Sequence, residues 1–365
     1  MVNKDLLIEK LEEKKYKIIK TLGEGGFGLT YEVKKEGKYY AAKIIKEERE
    51  EQKNEAEIIK EFRGQNIVKV NFVERILIGN DAYNVIVMEK APLKSLANFI
   101  DYLKKNNFFD LIFQSPFETI SDNLLKYFIL QLIQGLEILN RNNFCHFDIK
   151  PDNILIFCRL YLKWADFGML RDIETMIKED NNNNDKEIYV PGGTPGYFSP
   201  EYYQNEKKLH LNQAFKHDYF ALGCTIYYMK YGKKMLDFLR SNDNLMTTNT
   251  ILEIIEKKID EIKSDKSSDK DFANFLCHLI QYKPEERADM EYLLRNKWIN
   301  KDGEELENII EINCLDERKL MVELNKSDFL IKKKEYLEPI FEKYNKNENR
   351  KNKFVLKKRI GKYSL

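Results

Sequence analysis

The run His146-Phe147-Asp148-Ile149-Lys150-Pro151-Asp152-Asn153, followed by Asp166-Phe167-Gly168, sets a carboxylate, an ammonium and two hard oxygen donors within 21 residues. Asp148 is of a type that can accept or orient the proton of an attacking hydroxyl, and Lys150 can steady negative charge moving between oxygens. Asn153 and Asp166 offer oxygens suited to magnesium, a hard cation that keeps waters and phosphate oxygens in its shell. Moving a phosphoryl group onto a hydroxyl calls for these parts. Any one of them alone would be a solvated loop residue; their joint occurrence carries the weight.

Upstream, Gly23-Glu24-Gly25-Gly26-Phe27-Gly28 lies between two expected strands, where glycines let the backbone fold over a triphosphate and point amides at it. The same spacing marks dinucleotide-binding folds, but there a strand leads into a helix, whereas Leu29 to Val33 continues as strand. Taken alone, the motif is in a minority of cases just a glycine-rich hairpin turn. Lys43 closes the strand Tyr39-Tyr40-Ala41-Ala42-Lys43; a strand-end lysine by itself is most often just solvated.

In order and spacing these segments resemble the eukaryotic protein kinases, serine/threonine type, whose signatures are a glycine-rich loop, V-A-I-K, H-R-D-x-x-x-x-N and D-F-G. The resemblance covers about residues 16–299 and implies a bilobal α+β fold: a small antiparallel sheet lobe with one helix at 16–88, a hinge at 89–92 and a mainly helical lobe at 93–299. It further implies ATP and Mg2+ as cofactors and protein substrates as partners. Asp148 would be the base, Lys150 the charge-steadying cation, and Asn153 and Asp166 the magnesium ligands.

For the nucleotide it implies Leu22, Gly23, Glu24, Gly25, Gly26, Phe27 and Gly28 as the loop over the phosphates. Thr30 takes the place of the usual valine over the adenine, Ala41 and Leu155 sandwich the ring, and Lys43 holds the α- and β-phosphates. Met88 resembles the gatekeeper, with Glu89 and Ala91 in the hinge. By counting back from Ile67, the glutamate that pairs with Lys43 is Glu55, with Glu51 and Glu57 as alternatives; Ile59 would then face Phe167. His146 is implied to be a packing residue rather than an acid or base.

Two later motifs fit a protein kinase rather than a small-molecule phosphotransferase: Gly193-Thr194-Pro195-Gly196-Tyr197-Phe198-Ser199-Pro200-Glu201 and KPEERADMEYLL, with Asp218 between them. The resemblance implies a buried ion pair between Glu201 and Arg287. Phe147 departs from the pattern, for most members carry an arginine there that binds a phosphate on the activation segment. Val190 likewise stands at the common phosphosite, four residues before Thr194. These two departures predict activity that does not depend on an arginine clamp. A catalytically weak pseudokinase or scaffold is the reading from another class, against which Lys43, Asp148, Asn153 and Asp166 all stand. A strong preference for arginine before the target is not expected, since Ser95 and Tyr228 fall where such enzymes often have glutamate.

The elements that must position these residues are legible in the pattern. Residues 1–15 suggest a short leading helix, and Tyr16 to Ile45 alternates β-branched and aromatic residues around glycine turns. Residues 47–63 read as helix, Ile67 to Val73 and Tyr83 to Met88 as strands. Leu125, Phe128, Ile129, Leu132, Leu136 and Leu139 recur at helical spacing over 121–141, behind a Ser121-Asp122 cap. Further helices are expected from Asp218 through Tyr228 and from Asp271 to Ile280.

The 61 basic and 60 acidic side chains nearly cancel, so no overall field recommends nucleic acid as a partner. Five cysteines without a C-x-x-C pair fit a reducing compartment, cytoplasmic or nuclear. Apolar runs are too short for a transmembrane segment. Residues 300–365 form an extension whose end, Lys343 to Lys362, holds nine Lys/Arg against one acid with apolar residues interleaved. That suits an anionic surface or acidic partner, or simply a solvated terminus.

Overall fold

The computed structural model describes residues 4–25, 28–46, 62, 66–79, 81–105, 122–174, 176, 187–204, 208–236, 248–266 and 268–300. Five antiparallel strands form the N-terminal sheet: β1 (Lys17–Gly25), β2 (Gly28–Lys35), β3 (Lys38–Lys46), β4 (Val70–Ile78) and β5 (Asp81–Glu89), in the order β1-β2-β3-β5-β4. Period-two alternation sorts their side chains. Ala42, Ile44, Val85 and Val87 build one buried face with Val33, while Ile45, Ile86 and Met88 pack together on the other. Helix α1 (Lys4–Glu13) sends Leu11 into the first cluster, and Tyr16 follows it, its ring edge-on to Tyr40 at 5.7 Å and stacked on Phe72 at 6.3 Å.

The rest of the described residues is helical around short strand pairs, which makes the domain α+β and bilobal as expected. Helices α2 (Leu96–Lys105) and α3 (Asp122–Arg141) lead to the site, and the six apolar residues read at helical spacing in α3 are all buried. Short strands follow: β6 (Phe144–Cys145), β7 (Ile154–Phe157), β8 (Tyr161–Trp164), β9 (Arg171–Asp172) and β10 (Glu187–Tyr189). Then come α4 (Pro200–Gln204), β11 (Lys208–His210) and α5 (Ala214–Tyr231), which stops at Gly232 in a left-handed conformation, φ 64°. Helices α6 (Thr248–Ser264), α7 (Lys270–Leu279), α8 (Met290–Arg295) and α9 (Lys297–Asn300) complete the described part of the lobe. Asp269 caps α7, accepting from the amides of Asp271 at 2.6 Å and Phe272 at 3.4 Å.

The strand expected at Ile67 to Val73 is β4, Val70–Ile78, and the helix expected from Asp218 starts at Ala214 and runs to Tyr231. Ile67 and Val68 precede β4 rather than start it, because their burial serves another contact: the Val68 amide donates to the Trp164 carbonyl and the Trp164 amide to the Asn66 carbonyl, each at 2.9 Å. Apolar burial between the two lobes looks like a strand in sequence. The helix expected at 47–63 lies outside the described residues except Phe62, whose ring meets Phe144 edge-on at 5.1 Å. Among the described residues no helix is long and apolar enough to cross a membrane.

Candidate active site

The pairing of β1 with β2 brings Gly23 opposite Thr30 and Gly25 opposite Gly28. Gly28 has φ 122°, and a Cβ there would run into the Ile44 carbonyl, so the second arm of the hairpin needs glycine. Leu22 is 40% exposed at the mouth of the hairpin. Gly26 and Phe27, and the side chain of Glu24, lie outside the described residues. Thr30 faces Lys43 across the β2/β3 ladder, and Ala41 faces Met88 across β3/β5. Leu155, on β7, comes from the other lobe, bridged to Ser95.

Lys43, Met88, Asp166 and Phe167 line one cleft with Ile45 and Ile86. Lys43 Nζ bonds the carboxylate of Asp166, two residues separated by 123 positions. Burial pushes the Asp166 carboxyl up, but the charge and hydrogen bond of Lys43 outweigh it and hold the group below its ordinary value. Glu55 and its alternatives Glu51 and Glu57 lie outside the described residues. Past the cleft, the Glu89 side chain accepts from Lys163 Nζ at 2.6 Å and from the Lys69 amide at 2.7 Å, and Ala91 follows it on the connection between lobes.

Asp148 is 4% exposed yet amply paired. Its Oδ1 accepts from Thr194 Oγ1 at 2.7 Å; its Oδ2 accepts from Lys150 Nζ at 2.7 Å and from Asn153 Nδ2 at 2.8 Å. Lys150 also donates to Thr194 Oγ1 at 2.6 Å. The Asn153 main chain in turn accepts from the Ala165 amide at 2.9 Å, which ties it to the residue before Asp166. His146 is fully buried, with Trp164 and Phe167 rings 5.6 and 5.4 Å away. Burial lowers its pKa, and its Nδ1 accepts the Asp148 amide at 3.3 Å, so it packs and braces in the neutral form.

Beneath this loop, Asp218 on α5 accepts the amides of His146 at 2.6 Å and Phe147 at 2.9 Å. Arg287 grips Glu201 with two bonds, of 2.8 and 3.0 Å, and both side chains are buried. The implied ion pair is therefore present. Burial raises the Glu201 carboxyl, and the Arg287 charge and bonds more than reverse that. Sequence reasoning missed the pairing of Ser199 Oγ with His217 Nδ1 at 2.7 Å.

A two-lobed α+β architecture with these side chains gathered at the cleft defines a kinase-type protein. Residues 16–299 match the family model for the protein kinase domain, and the chain belongs to the protein kinase family. Among its relatives is serine/threonine-protein kinase polo of Drosophila melanogaster, 25% identical over 322 residues, which are 85% of this chain and 48% of the relative. Serine/threonine-protein kinase cds1 of Schizosaccharomyces pombe is 27% identical over 308 residues, 79% and 59% of the two chains. Serine/threonine-protein kinase plk-2 of Caenorhabditis elegans is 26% identical over 239 residues, 62% and 32%. The chain thus spans less than two thirds of the length of each of these relatives.

Proposed function

We propose that the chain transfers the γ-phosphoryl group of ATP to serine or threonine hydroxyls of protein substrates. The observation that carries this reading is the convergence on Asp148 of Lys150, Asn153 and Thr194, together with a Lys43–Asp166 pair that lines the cleft. We take 16–88 and 93–299 as the two lobes of the catalytic domain and 89–92 as the hinge, flanked by 1–15 and 300–365.

Asp148 orients the acceptor hydroxyl and takes its proton as the oxygen attacks; Lys150, 2.7 Å away, steadies the charge that moves with the phosphoryl group. Lys43 would hold the α- and β-phosphates, and Ala41, Thr30 and Leu155 would enclose the adenine. Magnesium would neutralise the phosphates. Asp166 and Asn153 would hold it, since both carry the hard oxygen donors that magnesium takes, with phosphate oxygens and water completing its shell. Thr194, bonded to both Asp148 and Lys150, would lie beside the incoming hydroxyl. Localisation is proposed as cytoplasmic or nuclear, and the basic end of the tail as the site of an anionic or acidic partner.

Phosphoamino-acid analysis of a mixed protein acceptor, labelled by the purified chain with magnesium and ATP, tests the substrate class. Phosphoserine and phosphothreonine are expected. Phosphotyrosine as the main product, or label on small molecules alone, would contradict the reading.

A further inference from the structure

Glu32, on β2, carries its carboxylate away from water: the residue is 1% exposed. Its Oε2 lies 3.0 Å from Nζ of Lys90, whose side chain is 6% exposed, and 3.9 Å from Nζ of Lys20 on β1, whose side chain is half-exposed. The Lys90 ammonium also stands 5.8 Å from the centre of the Tyr39 ring. Burial pulls that ammonium below its ordinary pKa, and the Glu32 carboxylate opposes the pull. Burying two charges is costly, and their attraction offsets the cost only at close range, so the pair holds its two strands to a narrow range of separations.

Register decides which face of the sheet the pair occupies. Glu32 pairs with Ala41 and Thr30 with Lys43 across β2/β3, and Ala41 pairs with Met88 across β3/β5. Directly paired residues share a face, as do residues two apart on one strand. Glu32 therefore stands on the side of Thr30, Ala41, Lys43 and Met88, and not on that of the apolar cluster with Tyr31, Val33 and Ala42. Lys43 and Met88 line the cleft. Glu32 is one step beyond Thr30 along this row, and Lys90 comes two residues after Met88, where β5 gives way to the connection between the lobes. The ion pair thus fastens the second arm of the glycine hairpin to that connection.

We infer that Glu32 and Lys90 are a positioning pair, which ties β2 to the connection at 89–92 and so sets the height of the glycine hairpin over the adenine site and with it the affinity for ATP, a role that rests on the nucleotide placement proposed above and deepens it. The groups around Asp148 come from 148–153 and from Thr194, on other parts of the chain. Loosening the hairpin therefore weakens nucleotide binding and leaves the transfer step as it was.

The test measures kcat and ATP KM for the full chain as wild type, E32Q, K90M and E32Q/K90M, by transfer to a serine or threonine peptide, alongside the Kd of a fluorescent ATP analogue. E32Q and K90M should each raise ATP KM about fivefold or more, with kcat at saturating ATP and the peptide KM within about twofold of wild type. The double variant should stay within about twofold of the worse single, because one tie is broken only once, whereas independent contributions would multiply. Should a single variant not fold with one charge stranded, the double, which removes both, reports with the same rise of about fivefold. Wild-type ATP KM in E32Q/K90M, a fall in kcat without a rise in ATP KM, or multiplied effects would each overturn the inference. A wild type that binds the analogue but transfers no phosphate would instead sink the kinase reading, and the Kd of the double, expected weaker by the same factor, would still decide the role of the pair.

Discussion

Thr194 donates to Asp148 at 2.7 Å and accepts from Lys150 at 2.6 Å, so one hydroxyl bridges the proposed base and the proposed charge-steadying cation from a segment more than forty residues away. A hydrogen bond to a carboxylate contributes about 1.5–3 kcal/mol. T194A should therefore lower kcat by roughly 10- to 100-fold, whereas T194S, which keeps the hydroxyl, should stay within about threefold. Steady-state kinetics on a peptide acceptor would decide, and equal losses in both variants would show that the methyl group, not the bond, matters.

Arg287 and Glu201 illustrate a different kind of residue, one that supports the site without touching it. Removing one partner of a buried pair strands the other charge, at a cost of about 3–5 kcal/mol. R287A should thus destabilise the fold by that amount in urea denaturation, while R287M/E201L should recover much of it by replacing the pair with apolar packing. A loss below about 1 kcal/mol in R287A would mean that the pair is not the brace its burial suggests.

His217 supplies a pH signature. Burial lowers its pKa from 6.5 to about 4, so between those values the unfolded chain binds a proton that the folded chain refuses. Its contribution to stability is complete above the upper value and is lost as pH falls toward the lower one. Asp218 acts in the opposite sense, since burial pushes its carboxyl up to about 7 against the pull of the His146 and Phe147 amides. Comparing wild type with H217Q isolates the histidine: the variant should lose less stability than wild type between pH 6.5 and 4 in thermal melts. Parallel curves would contradict the assignment.

Much of this was legible in the sequence because the chemistry is local. Asp148, Lys150 and Asn153 lie within six residues, and the turn at Pro151–Asn153 folds them onto one another with little help from elsewhere. Long-range relations that rest on charge, such as Glu201 with Arg287, were accessible through the family resemblance. The short ladders β6/β9, β7/β8 and β10/β11 were not, because strands of two to four residues carry no periodicity to read. Nor was the cluster around Phe147, in which residues from 145 to 214 meet only in three dimensions. Ile67 and Val68 misled for a related reason: apolar residues buried by a neighbour resemble apolar residues buried in a sheet.

Helix α1 was expected as a leader ahead of the domain, yet Leu11 is 1% exposed and joins the same cluster as Val33, Ala42 and Val85. Truncating a leucine so buried costs about 2–5 kcal/mol. L11A should show a loss in that range by chemical denaturation, and deletion of residues 1–13 at least as much. A fully stable deletion would show that the helix rests on the sheet without supporting it.

The central claim is that Asp148 orients an acceptor hydroxyl for attack on ATP, and the most direct measurement is transfer of radiolabelled γ-phosphate to a serine or threonine peptide by wild type and by D148N. The variant keeps the size of the side chain and its place beside Lys150 and Thr194 but surrenders the negative charge. Wild type should transfer label in the presence of magnesium, and D148N should be slower by about 100-fold or more while binding ATP as well as wild type. Equal transfer by the two proteins would contradict the account.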